Sequence, residues 1–279
     1  MKSTKQIQIV VVLAVVLVMG FLLAQPIKGL VTEPQVAETT EGAGMPKFTM
    51  ADVSAMSKQG INNSLAAEIT ELESKLPDSE GADRIAILQQ IADKWDDLAK
   101  FAPQGFVYEE MANTTPKFEY WLQAGQNYRK AYTNLQDTVL ATELNRMAIN
   151  AFQQAVDLDG TSLDAKTGLG AAMVTGTNNP MAGIAILREV IAADPKNLEA
   201  NKTLGAFSMQ SRQFDRAIER FLTVIEIKPD AESYFYLATS YENIGLKNEA
   251  IAAFQKSKEM AADPTLSQFI DRRIEELSK

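Results

Sequence analysis

The chain contains no cysteine and no histidine in 279 residues. Without a thiol or an imidazole there is no disulfide, no thiolate nucleophile, no Ser-His-Asp triad and no zinc site of the usual Cys/His kind. Any catalysis would have to run on carboxylates, Lys, Tyr, Ser or Thr. Positive charge is scarce as well: 27 Lys and Arg face 36 Asp and Glu, a formal net charge of -9. Three of those cations, Lys2, Lys5 and Lys28, fall in the first 28 residues, which hold no acid, so 24 cations face all 36 acids in the rest. Such a body is not a nucleic-acid binder, because neutralising phosphates demands clustered Lys and Arg. A hydrophobic content of 46% excludes disorder throughout, and the length allows one large or two small domains.

What is present at the amino end is an uncharged run from Gln6 to Ile27. As a helix it would span roughly 33 Å, close to the hydrocarbon thickness of a bilayer. The expected organisation is a cytoplasmic tail over residues 1–5 and a transmembrane signal-anchor over 6–28. A flexible linker with three glycines and two prolines follows over 29–47. Lys2 and Lys5 put the tail inside, and the acidic body then lies outside, periplasmic or otherwise extracytoplasmic. A cleaved secretory signal is the other reading. It is weakened by Leu22, where a cut after Ala24 wants a small residue. A lipoprotein signal would need a cysteine.

From Phe48 onward there is no convincing strand alternation, whereas apolar residues recur at three and four, so the expected fold class is all-α. Val53, Met56, Ile61, Leu65, Ile69, Leu72 and Leu76 form one stripe, interrupted near Gly60. Ile85, Leu88, Ile91, Trp95, Leu98 and Phe101 form the next, which Pro103-Gln104-Gly105 is expected to end. The stripes allow residues 48–114 to be two degenerate repeats or an unrelated helical cap. A fixed period then appears. Trp121, Ala124, Gly125 and Tyr128 are echoed by Leu169-Gly170, by Leu204-Gly205, and by Tyr234, Leu237, Ala238 and Tyr241. Partner segments give Ala148 and Phe152, then Gly183 and Leu187, then Ala217 and Phe221, then Ala250 and Phe254. From Ala148 to Gly183 to Ala217 to Ala250 the intervals are 35, 34 and 33 residues.

This pattern resembles the tetratricopeptide repeat family over roughly Phe118 to Pro264. The resemblance implies a solenoid of stacked antiparallel helix pairs over residues 115–263. Small residues at Gly125, Gly170, Gly205 and Ala238, and at Ala148, Ala217 and Ala250, would let helices approach, with Trp121, Tyr128, Phe152, Phe221, Tyr241 and Phe254 filling between them. The spacing between Tyr128 and Ala148 exceeds the family pattern by 11 residues, close to three helical turns, so longer helices are expected in the first pair. Asp263-Pro264 opens a capping helix over 264–279. In that helix Leu266, Phe269, Ile270, Ile274 and Leu277 are expected to face the stack, and Asp271, Arg272, Arg273, Glu275 and Glu276 water.

Acidic pairs such as Asp157/Asp159, Asp96/Asp97 and Glu109/Glu110 are read as solvated faces rather than acid-base or metal sites. Gly168 and Gly170 are read as close packing rather than a nucleotide loop, so no metal, cofactor or catalytic residue is expected. The family implies partner recognition along an inner wall built by the first helix of each pair. The residues carried onto that wall include Glu119, Arg129, Lys130, Asp164, Glu199, Lys202, Thr203, Ala206, Met209, Glu232, Phe235, Tyr236, Thr239, Glu242 and Asn243. Lys202 matches one position of a known carboxylate clamp in some members, but Ala206 stands where that clamp wants Asn. Of Phe235 and Tyr236, one is expected between helices and the other in the groove. The expected function is a membrane-tethered interaction scaffold or assembly factor of a bacterial cell envelope, taking a protein or peptide partner. Its architecture is similar to that of the ancillary repeat subunit of the Sec translocon and the repeat factors of cytochrome c maturation. A chaperone-like module holding exported chains is the alternative, and a carboxylate-dependent envelope enzyme the third reading. Oligomeric state is left open.

Overall fold

The computed structural model describes residues 48–134, 138–177 and 179–279. The cytoplasmic tail, the transmembrane segment and the linker expected over residues 1–47 lie outside the described residues. Among the described residues no helix is long and apolar enough to cross a membrane.

Those residues form thirteen α-helices and no strand. The first four are α1 (Met50–Lys58), α2 (Asn63–Ser74), α3 (Gly81–Asp97) and α4 (Phe101–Thr114). Then come four pairs: α5 (Phe118–Asn134) with α6 (Thr138–Leu158), α7 (Leu163–Gly176) with α8 (Pro180–Ala193), α9 (Leu198–Gln210) with α10 (Phe214–Ile227), and α11 (Ala231–Asn243) with α12 (Lys247–Met260). The last helix is α13 (Pro264–Leu277).

Local chemistry sets these boundaries. Ser162, Asn197 and Asp230 cap α7, α9 and α11, each accepting a hydrogen bond from the backbone N–H three residues on. Each such bond satisfies one of the donors a helix start leaves open. Asp263 caps α13, with Pro264 in the first turn, where no backbone donor is missed. Gly245 sits at φ 82, just past the end of α11, a left-handed conformation that glycine takes without a Cβ clash.

The interruption near Gly60 is a helix break, and one expectation is corrected at the amino end of the body. The first stripe is two helices, with Asn62 capping the second of them. The second stripe does not run to Pro103. α3 stops at Asp97, Ala99 turns the chain at φ 50, and Phe101 opens α4. Pro103 and Gly105 are therefore inside α4. The proline is tolerated because the first turn needs no i-to-i−4 donor. The glycine lets α4 lie on α5, since a Cβ at Gly105 would stand 2.6 Å from the Tyr128 ring.

Within the stack, each second helix packs between the first helix of its own pair and the first helix of the next. The aromatic at its centre fills that joint. Phe152 of α6 touches Gly125 of α5, where a Cβ would come within 2.8 Å of the ring, and touches Gly168 of α7 more closely still. Phe221 of α10 stands 3.0 Å from the Cβ position of Gly205. Gly170 and Gly183 bring α7 and α8 together, the Cβ position of the second within 2.5 Å of the first's carbonyl oxygen. Trp121, Tyr128, Ala148, Phe152, Ala217, Phe221, Ala238, Ala250 and Phe254 are all buried, while Tyr241 is half-buried. Full burial of one such aromatic is worth roughly 1.5–3 kcal/mol. In the first pair, α5 has 17 residues and α6 has 21, against 13 or 14 in the later helices.

Candidate functional site

First helices of successive pairs contact one another directly, while second helices mainly meet first helices. The first-helix side therefore has the tighter radius and forms the inner wall. Its residues come from α5, α7, α9 and α11, with α13 taking the place of a further first helix at the carboxyl end.

Four of the charged residues expected on this wall, Arg129, Glu199, Lys202 and Glu242, are engaged in ion pairs. Arg129 of α5 donates to Glu199 of α9 at 2.7 Å, passing over α7. The inner side of α7 is small enough to allow it, with Thr167 and Ala171 buried. Lys202 donates to Asp230, the cap of α11, at 2.6 Å. Burial alone raises the Asp230 carboxyl, but the hydrogen bonds from Lys202 and Ser233 outweigh it and hold the group below its usual range. Lys130 stays exposed, with its ammonium 5.2 Å from the Phe101 ring centroid of α4. Glu242 of α11 accepts from Arg273 of α13.

Two residues expected to line the groove turn inward instead. Thr203 is only 8% exposed and its hydroxyl faces Glu199 at 3.5 Å. Met209 is half-buried against the cluster around Phe221 and Phe254. Helical rotation explains both, since positions 203 and 209 lie toward the neighbouring first helices rather than over the open groove.

Phe235 and Tyr236 are both half-buried and part company by one helical step. Tyr236 lies 5.2 Å from Phe221 between units and donates its hydroxyl to Glu232 at 3.1 Å. Burial first, and the Glu232 carboxylate second, push that phenol above its usual range. Phe235 faces the inner wall, 5.7 Å from Phe254 and 5.8 Å from Phe269 of α13. There it lines a cleft of about 490 Å³ together with Thr239, Glu242, Asn243, Phe254, Phe269 and Arg273.

Phe269 and Arg273 are the cleft residues whose places differ from those the sequence implies. Phe269, expected to face the stack, remains 42% exposed, and Arg273, expected in water, turns back to Glu242 and Glu276. The available signal is their spacing: four residues apart on one helix, they share a face. Among the described residues no group of three or more acids is placed to hold a metal ion. Glu109, Tyr128, Glu143 and Arg146 do meet at the joint of α4, α5 and α6. There Arg146 donates to both oxygens of Glu143, and Tyr128 donates to Glu109.

Comparison with known proteins gives the same repeat. Tetratricopeptide repeat models match residues 176–241 and 231–264. A crystal structure of MamA is similar at 28% identity over 63% of this chain and 91% of its own, with a TM-score of 0.50. A double mutant of MamA RS-1 is similar at 19% identity over 65% and 96%, with a TM-score of 0.51. A thermophilic TPR protein of Thermus thermophilus is similar at 14% identity over 69% and 98%, with a TM-score of 0.48. No curated protein matches the chain.

Proposed function

With residues 176–264 as tetratricopeptide repeats for a premise, we propose that this chain is a membrane-tethered scaffold of a bacterial cell envelope. It recognises a protein or peptide partner on the inner wall formed by α5, α7, α9, α11 and α13. The segment over 6–28, uncharged from Gln6 to Ile27, is its anchor, residues 1–5 face the cytoplasm, and the repeat body stands on the extracytoplasmic side. The linker over 29–47 confines the body near membrane-bound partners and raises their effective concentration.

The observation that carries this reading is the half-apolar cleft at the carboxyl end of the inner wall. Arg129, Lys202 and Arg273 on this wall are already committed to internal pairs. A wall of this kind is built for a shaped surface rather than for charge alone, and aromatic anchors in such clefts dominate binding energy.

The test is affinity purification of the full-length chain from its native membrane, with two single variants. Ala206→Arg places a long cation on the exposed inner side of α9, and Leu222→Arg places one on the exposed side of α10. The expected result is a discrete partner set lost only in Ala206→Arg. Loss of partner in neither variant contradicts the reading. A broad smear of exported chains favours a chaperone instead. The topology is tested separately by protease added to intact and opened spheroplasts, which should digest the body in both.

A further inference from the structure

We propose that the cleft between α11 and α13 takes an aromatic or large aliphatic side chain from a partner segment in which that side chain is flanked by Lys or Arg. The inference rests on the reading of the inner wall as the partner-binding face.

Three observations combine. The first is apolar surface left open: Phe269 is 42% exposed, although α13 otherwise turns its apolar stripe inward, with Ile270 fully buried beside it. The second is shape. Phe235, Phe254 and Phe269 form a connected aromatic floor and wall to a cleft of about 490 Å³, room enough to admit one large side chain. An arriving apolar side chain meets ring faces and edges there, while Thr239 and Asn243 stand at the rim.

The third is charge. At the start of α11 the exposed Glu232 has only the Tyr236 hydroxyl as partner among the described residues. At the other end Glu242 and Glu276 share a single guanidinium, that of Arg273. Glu242 and Arg273 thus line the cleft itself, Glu276 shares the same guanidinium, and Glu232 lies on α11 one turn before Phe235. Lys202 of α9, also on this wall, is held by Asp230. A segment carrying acids beside its anchor would meet uncompensated carboxylates, whereas Lys or Arg on either side finds a partner at each mouth. The formal charge of -9 steers the same kind of segment toward the surface.

The experiment uses the full chain and three fluorescein-labelled heptapeptides, read by anisotropy. One carries phenylalanine with two lysines on each side, one replaces the lysines by glutamates, and one replaces the phenylalanine by alanine. The lysine–phenylalanine peptide is expected to bind about tenfold or more tighter than either control. Its affinity should fall as salt rises from about 50 to about 300 mM. Two variants keep the site testable without touching the buried core. Phe269→Ala removes an exposed ring, and Thr239→Trp fills the cleft; each is expected to weaken this peptide about fivefold or more with helix content unchanged.

Equal binding of the three peptides, or no measurable binding of any up to about millimolar concentration, overturns the inference. So does binding that survives both variants. Concentration-dependent self-association of the chain that Phe269→Ala abolishes would place a second copy in the cleft and overturns it too. If the native partners are lost in Ala206→Arg but retained in both Phe269→Ala and Thr239→Trp, the partner-binding wall stands and only the cleft assignment fails. If all three variants retain them, both fail.

Discussion

Phe152 shows how much a single contact decides. Its ring is gripped from two helices, against Gly125 on one side and Gly168 on the other, so it cannot move away from one without striking the other. Gly168→Ala would gain up to about 1 kcal/mol of helix propensity. It must nevertheless overpack this joint, at a typical cost of about 1–3 kcal/mol. Net destabilisation is expected, as a lower urea midpoint, and Phe152→Leu in the same chain should recover part of it. Glu109 gives a pH-dependent case. Burial is the main influence on its carboxyl and holds it above the usual carboxylate range, against the Tyr128 hydroxyl and Arg146, which favour the ionised form. The folded chain therefore holds this proton more readily than the unfolded one. The resulting stabilisation is complete below the unfolded-chain value and disappears as pH rises through the raised folded value. Glu109→Gln keeps an acceptor for Tyr128. It is expected to be more stable than the parent above that raised value and to show a shallower dependence of urea midpoint on pH. At this scale the period exposes the small positions well. Gly125, Gly170 and Gly205 are legible as close-packing sites because they sit in a repeating phase, and Gly168 because it falls inside a repeat helix, whereas Gly105 reads in the sequence as a terminator. Nothing local distinguishes a glycine that ends a helix from one that lets a neighbouring ring approach.

Helix ends tell a similar story at the scale of elements. Asp263-Pro264 announces α13 because an acceptor followed by proline is a start signal that needs no tertiary context. What the pattern cannot supply is rotation about the helix axis fine enough to leave Phe269 at the cleft and bring Arg273 back to Glu242. That depends on how α13 docks on α11 and α12. The break between α3 and α4 is hidden for another reason. Proline and glycine are strong punctuation, but Pro103 falls in a first turn, and the true turn is made by Ala99 in an unfavourable left-handed conformation. α13 is also where the stack is expected to open first. Its only fully buried residue is Ile270, and its ion pairs Arg273–Glu242 and Lys258–Asp271 are partly solvated. Ile270→Ala should cost about 2–5 kcal/mol locally. Hydrogen exchange is expected to show that loss on α13 and α12, with amides of α5 and α6 unchanged, because a linear stack passes destabilisation only to its neighbours. Equal loss of protection in α5 and α6 would contradict that picture.

For the body as a whole, four pairs and a cap place one first helix beside another, so the inner wall is a continuous surface carrying the same phase of each repeat. Arg129 reaching Glu199 across α7 shows how near those helices come, and it leaves the carboxyl half of the wall, with its aromatic cleft, as the more open part. The period makes the wall legible as a set of positions. It cannot show which of them are spent on internal pairs, because ion pairs such as Lys202–Asp230 join residues from different repeats and depend on the twist between them. The central claim is that partners are read on this wall. The most direct measurement replaces Thr239, at the cleft rim, or Leu222, exposed on α10, with a photoreactive amino acid in the full-length chain, followed by irradiation in the native membrane. The account predicts a discrete adduct from position 239 and none from position 222. Adducts of the same partner from position 222, or none from position 239, would contradict it.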